Sequence, residues 1–189
     1  MAFRSWRSST SRGRRGSVPA AVHHRAALQC VGIGEARALG DTKILSGNVR
    51  LATSHVVPDL VQKVVKGQNP LHILGSGEQV RHYTYGGDLA AGIVAAMEQP
   101  AAFNEDFNLS TSEGTTVREL AEIIWRKTKG AGVPIRVIQD EPFEHDVQRR
   151  VPSTDKAKRV LGFEAPTTLE QMLDEVIPWI TRAAAVGTV

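Results

Sequence analysis

The stretch Gly75–Asp88, G-S-G-E-Q-V-R-H-Y-T-Y-G-G-D, restricts the fold of this chain more than any other. An apolar run, Leu71-His72-Ile73-Leu74, enters a glycine turn. The β-type run Val80–Tyr85 leaves it, and Gly86-Gly87-Asp88 then opens a helical pattern. Strand, turn, strand and helix in that order belong to an α/β arrangement. Arg81 lies between two structured segments and close to a glycine turn, a good place to hold a phosphate, because a guanidinium presents a planar fork of N–H donors. The competing reading is a hairpin whose arginine is solvated.

The flanking pattern extends the α/β reading. Ser54–Lys66 reads as a helix with Val57, Leu60, Val61, Val64 and Val65 on one face, Pro58 in its first turn and Gly67 just past its end. Asp88 is the expected N-cap of a helix running to Met97, with Leu89, Ile93, Ala96 and Met97 inward. Phe107–Leu109 and Pro134–Ile138 read as strands. Thr116–Glu119 is a capping box opening a helix that buries Val117, Leu120, Ala121 and Ile124. Ser153 is placed to cap a short helix ended by Gly162. Thr167–Glu170 reads as a second capping box, before a final helix that Pro178 is expected to kink or end. Cys30–Arg50, punctuated by glycines, reads as loop. These strands are too few for a complete doubly wound sheet.

The charge sits at one end. Residues 1–34 hold six arginines and no acidic residue, leaving 17 basic and 20 acidic residues in 35–189, a net charge of −3. The basicity therefore belongs to the leader, not to a binding face of the globular part. Residues 1–30 have no sustained period and are expected to be disordered, which makes 31–189 the folded domain. Three readings of the leader stand: a nucleic-acid-binding arm, an organelle transit peptide, and a segment foreign to the domain behind it. The abrupt change of character favours the third. A single cysteine, Cys30, and the lack of any run near the roughly 18 apolar residues of a membrane span point to a cytoplasmic protein.

The commoner catalytic patterns are missing. After Gly75-Ser76-Gly77, the third glycine of a dinucleotide fingerprint is replaced by Val80, and the turn lies between two strands. The residues four beyond Tyr83 and Tyr85 are Gly87 and Leu89, so no Tyr-x-x-x-Lys pair exists. No G-x-S-x-G elbow occurs. Histidines 23, 24, 55, 72, 82 and 145 have no metal-ligand spacing beyond the leader pair. No catalytic, cofactor-binding or metal residue is assigned. What remains are arginines: Arg81, and Arg149 and Arg150 in D-V-Q-R-R-V-P-S, an extended stretch whose alternation sends them to opposite faces.

The strings S-H-V-V-P-D-L-V-Q-K-V-V-K-G-Q, I-L-G-S-G-E-Q-V-R-H-Y-T-Y-G-G-D-L-A-A-G-I, F-N-L-S-T-S-E-G-T-T-V-R-E-L-A, D-V-Q-R-R-V-P-S-T-D-K-A-K-R-V-L-G-F and T-L-E-Q-M-L follow one another between Val31 and Ile180. In this order the chain resembles the C-terminal half of NAD-dependent epimerase/dehydratases, the extended short-chain dehydrogenase/reductases acting on nucleotide sugars. The resemblance implies a Rossmann-type fold lacking the N-terminal dinucleotide-binding half. It also implies a nucleotide-sugar substrate, with a UDP-sugar expected, and NAD as cofactor of full-length members but not of this chain alone. Arg81 would contact the nucleotide diphosphate, as would Arg150 or, as second choice, Arg149. His72 and Leu74 would pack on the base, and Gln79 would contact ribose or phosphate. Three departures stand out: Gln29-Cys30-Val31-Gly32 replaces an Asn-x-Tyr-Gly turn, Ser153 an aspartate, and Gly86-Gly87 bulkier residues.

The expectation is a truncated family member that binds a nucleotide sugar and is inactive alone. A stand-alone binding module or an inert fragment is the alternative, and a nucleic-acid binder acting through the leader is another. Helices that have lost part of their sheet expose apolar stripes, so a homodimer or covering partner is expected as well.

Overall fold

The computed structural model describes residues 23–24, 29–33, 43–46, 49–52, 55–142 and 146–186; residues 23–24, 43–46 and 49–52 are described by their backbone alone. His145 and most of the leader lie outside the described residues. The chain is α/β, built from short paired strands. Among the described residues three pairs are parallel: β1 (His23–His24) with β8 (Asp106–Phe107), β2 (Gln29–Val31) with β7 (Tyr83–Tyr85), and β5 (Leu71–Leu74) with β10 (Val137–Asp140). Two are antiparallel: β3 (Lys43–Ser46) with β4 (Val49–Ala52), and β6 (Val80–Arg81) with β9 (Thr115–Thr116).

The main core lies where three helices meet the inner faces of β5 and β7. Helix α1 (Val56–Val65) contributes Val57, Leu60, Val61 and Val64, and α3 (Val117–Lys129) contributes Leu120, Ala121, Ile124 and Trp125. Helix α5 (Leu169–Ala185) adds Met172, Leu173, Val176 and Ile180. These positions recur at helical spacing, so each helix buries one stripe. Period two on β5 sends Leu71 and Ile73 into that core and leaves His72 and Leu74 half-buried on the other face. A smaller cluster joins α2 (Gly86–Glu98) to Phe107, Leu109, Phe163 and α4 (Asp155–Leu161).

Several local expectations change. The loop expected over Cys30–Arg50 contains β2, β3 and β4; Gly47-Asn48 between two apolar runs is a hairpin signal. β2 also crosses the boundary expected at residue 30. The run Val80–Tyr85 is two strands, because Val80–Arg81 pairs with Thr115–Thr116 and Tyr83–Tyr85 with Gln29–Val31. The glycine turn is not a hairpin, since β5 pairs with β10 rather than with β6. The expected strand Pro134–Ile138 is displaced to Val137–Asp140, the ladder starting where Leu71 N donates to Arg136 O at 2.8 Å.

Helix ends shift for identifiable reasons. Tyr85, not Asp88, occupies the N-cap of α2. The Asp88 carboxylate instead accepts from Thr167 N and Thr167 Oγ1, both at 3.0 Å. With Thr167 engaged, the second capping box forms one residue later, between Thr168 and Gln171. Met97 is exposed, and the inward face of α2 is Leu89, Gly92, Ile93 and Ala96. Gly92 is needed there because a Cβ would lie 2.7 Å from the Phe163 ring. Ser153 does not cap α4; its hydroxyl donates to Asp155 Oδ2 at 3.1 Å. Helix α5 continues past Pro178 to Ala185. The capping box at Thr116 and Glu119 forms as expected.

Candidate functional site

The turn leaving β5 is shaped by two residues with positive φ, Gly75 at 70° and Gly77 at 83°. A Cβ on Gly75 would collide with the Gln79 amide, and one on Gly77 would sit 2.7 Å from Ile73 Cδ1. Glycine is therefore required for close approach as well as for φ. Backbone bonds then fix the segment beyond: Arg118 N donates to Gly77 O at 2.9 Å and Val117 N to Gln79 O at 3.2 Å. The start of α3 thus braces the turn and sets the direction of β6.

Two of the six expected site residues, Gln79 and Arg81, meet here at Asp146, and Arg149 and Arg150 lie on a segment beside them. Gln79 is buried, and its Nε2 donates to Leu74 O at 3.0 Å and to Asp146 Oδ2 at 2.8 Å. Arg81 Nη2 donates to Asp146 Oδ1 at 2.8 Å, and Nη1 to Val80 O at 3.0 Å. The 146–150 segment runs beside β6: Val80 N donates to Gln148 O at 2.9 Å, and Val80 bridges Arg149. This places Arg149 and Arg150, both exposed, next to Arg81. The arrangement is one arginine paired with an aspartate, beside a segment that carries two further exposed arginines.

Leu74 enters through its backbone, since its carbonyl orients Gln79. His72 takes a different place: its Nδ1 is 2.8 Å from Asp140 Oδ1, and its N–H donates to Gln68 Oε1 at 2.9 Å. Its carbonyl accepts from Lys63 Nζ at 2.9 Å, and the same ammonium meets Asp59 Oδ2 at 2.9 Å with no exposed side-chain surface. Sequence reasoning missed Asp146, Asp140 and Lys63. Asp146 stands at the head of the string D-V-Q-R-R, an acidic residue next to two arginines, and that was the available signal.

Chemical options are limited by the surroundings. Burial pushes the Tyr83 phenol well above its ordinary range, against the opposing pull of Arg81, and its hydroxyl has no hydrogen-bond partner among the described residues. The Tyr85 hydroxyl donates to Glu175 at 2.9 Å. Among the described residues neither tyrosine is bonded to a lysine. No group of three or more His, Cys, Asp or Glu among the described residues is arranged to hold a metal. The glycine turn does not fit a dinucleotide pyrophosphate, because Gln79, Pro142, Ile73 and Arg118 fill the space beside its two glycines and a strand, not a helix, follows it. Gln29, where the resemblance expects an asparagine, has its Oε1 buried with no hydrogen-bond partner among the described residues. The position expected to be aspartate, Ser153, offers its carbonyl to Asn108 Nδ2 at 2.9 Å.

Comparison with known proteins places the whole. The family model described as GDP-mannose 4,6 dehydratase matches residues 46–176. UDP-glucuronic acid decarboxylase 1 of Xenopus tropicalis is 31% identical over 127 residues, covering 67% of this chain and 29% of that protein. A putative UDP-glucose 4-epimerase of Methanocaldococcus jannaschii is 31% identical over 125 residues, covering 66% and 38%. Among solved structures, UDP-glucose 4-epimerase from Thermotoga maritima with UDP-glucose superposes with a TM-score of 0.65 at 25% identity, covering 86% of this chain and 46% of that one. The Bordetella bronchiseptica enzyme WbmF, in complex with NADH, gives 0.66 at 26% identity, covering 87% and 46%. The chain thus spans about a third of the length of the curated relatives it matches and under half of these solved chains. By the extent of the family match and the shared extended short-chain dehydrogenase/reductase fold, the chain belongs to the NAD-dependent epimerase/dehydratases that act on nucleotide sugars.

Proposed function

We propose that this chain carries the substrate-binding portion of a nucleotide-sugar epimerase/dehydratase. It binds a UDP-sugar through its diphosphate and does not by itself carry out the redox step. The supporting observation is Arg81 beside the braced glycine turn, with the segment that carries the exposed Arg149 and Arg150 running alongside its strand. A diphosphate spread over two or three guanidiniums is held by charge-assisted, directional bonds. The UDP-glucuronic acid decarboxylase and the UDP-glucose-bound epimerase among its relatives favour a UDP-sugar. The 189 residues contain neither a Tyr-x-x-x-Lys pair nor a dinucleotide glycine fingerprint, so NAD and the chemistry would belong to another polypeptide segment.

Two further parts of the reading concern surroundings. Val94 and Met97 on α2 are 51% and 61% exposed, an apolar strip suited to a second copy or a covering partner. No helix among the described residues is long and apolar enough to cross a membrane, and with a single cysteine the cytoplasm is the proposed compartment. The test is an incubation of purified protein with UDP-glucose or UDP-glucuronic acid and NAD, alongside equilibrium dialysis of the labelled sugar nucleotide. Retention of the nucleotide without NADH or product is expected. Turnover, or no retention, would overturn the proposal.

A further inference from the structure

The Arg81 guanidinium is already occupied. Its side chain is 16% exposed and that of Asp146 is 17% exposed, so the ion pair is well removed from solvent. Asp146 spends both oxygens at once, one on Arg81 and one on Gln79, each at 2.8 Å. Gln79 in turn has its Oε1 buried with no partner among the described residues. A carboxylate at hydrogen-bond distance cancels most of the field that an incoming anion would feel from Arg81. A phosphate arriving at Arg81 therefore meets a neutral pair, while Arg149 and Arg150 remain exposed alongside.

We propose that Asp146 is a specificity-determining residue, an internal anion that holds Arg81 until a diphosphate exchanges with it. The exposed Arg150 makes the first contact, and the ligand then takes the Nη2 donor that Asp146 Oδ1 occupied. Asp146 Oδ2 keeps its bond to Gln79, so the turn stays braced during the exchange. Because the carboxylate must be displaced, an anion carrying a single weak charge gains little at Arg81, whereas a diphosphate bridging two arginines gains enough. The inference rests on the diphosphate reading of Arg81 and adds Asp146 to it.

Asp146→Asn is the informative change. Its one remaining oxygen can serve Gln79 Nε2, which leaves an amide NH2 facing the guanidinium and frees Arg81. Titration calorimetry of UDP and of uridine into wild type, Asp146→Asn, Arg81→Ala and the double variant separates the possibilities. The expected result is about tenfold tighter UDP binding by Asp146→Asn, unchanged uridine binding, and no effect of Asp146→Asn once Arg81 is alanine. If Arg81→Ala weakens UDP but Asp146→Asn weakens it too or leaves it unchanged, the exchange is overturned and the diphosphate reading survives. If wild type and Asp146→Asn both ignore UDP, both fall. Should Asp146→Asn not fold, side-chain NMR of the wild-type protein decides. UDP must then shift the Asp146 carboxyl and Arg81 guanidinium resonances together, and an Asp146 resonance that stays put contradicts the proposal.

Discussion

Replacing Lys63 with methionine tests the energetic logic of the fold beneath the site. The Lys63 ammonium has no exposed side-chain surface and bonds Asp59 Oδ2 and the His72 carbonyl, each at 2.9 Å. Asp59 is itself buried and its Oδ1 has no hydrogen-bond partner among the described residues. Removing the ammonium leaves a buried carboxylate without compensation, a change that costs about 3–5 kcal/mol. For a chain of this length that lowers Tm by roughly 10 °C. Burial holds the Asp59 carboxyl above its ordinary value of 3.8, and Lys63 opposes that rise. Without Lys63 the carboxyl rises further. An acid with a raised folded pKa binds its proton more tightly when folded, so its stabilising effect is complete below 3.8 and is lost as pH climbs toward the folded value. The deficit of Lys63→Met is therefore smaller at pH 4 than at pH 7. Urea unfolding followed through the buried Trp125 measures it. The double variant Asp59→Leu/Lys63→Met, which removes both charges, should recover to within about 1 kcal/mol of wild type. A Lys63→Met protein as stable as wild type at pH 7 would refute the reasoning.

Further outcomes follow from the same geometry. Gly77→Ala combines φ of 83° with a Cβ 2.7 Å from Ile73 Cδ1, and should cost about 1–3 kcal/mol in urea unfolding. Gly67→Ala, with φ of 79° but open space around the Cβ, should cost only about 1 kcal/mol. Thr168→Ala should lower stability by about 1 kcal/mol by removing the α5 cap. Truncating Glu170 leaves that cap intact, so its melting temperature should change far less.

The elements governed by local chemistry were legible in the sequence. The Thr116 capping box, the α1 and α5 stripes and Gly67 past the end of α1 depend on residues within a few positions of one another. Failures came where a distant residue decided. Thr167 and Thr168 each have a suitable partner three residues on, and only Asp88, 79 residues away, selects Thr168. The run Val80–Tyr85 reads as one strand because nothing local says that its halves pair with different segments. The hairpin of β3 and β4 did carry a local signal, Gly47-Asn48, hidden by the other glycines around it.

The site divides in the same way. Arg81 and Gln79 stand in one motif and meet at Asp146, and the segment of Arg149 and Arg150 runs beside their strand. His72 was assigned to the base, but its ring is held by Asp140, 68 residues away, and its carbonyl by Lys63. Asp146 is 65 residues from Arg81, so a pairing that sets the charge of the site has no footprint in spacing.

The most direct test is calorimetric titration of UDP-glucose into the wild-type protein and into Arg81→Ala. A saturable heat in wild type, weakened about 10–100-fold by loss of one charge-assisted bond, is the predicted result. Equal binding by the two proteins, or none by wild type, would contradict the account.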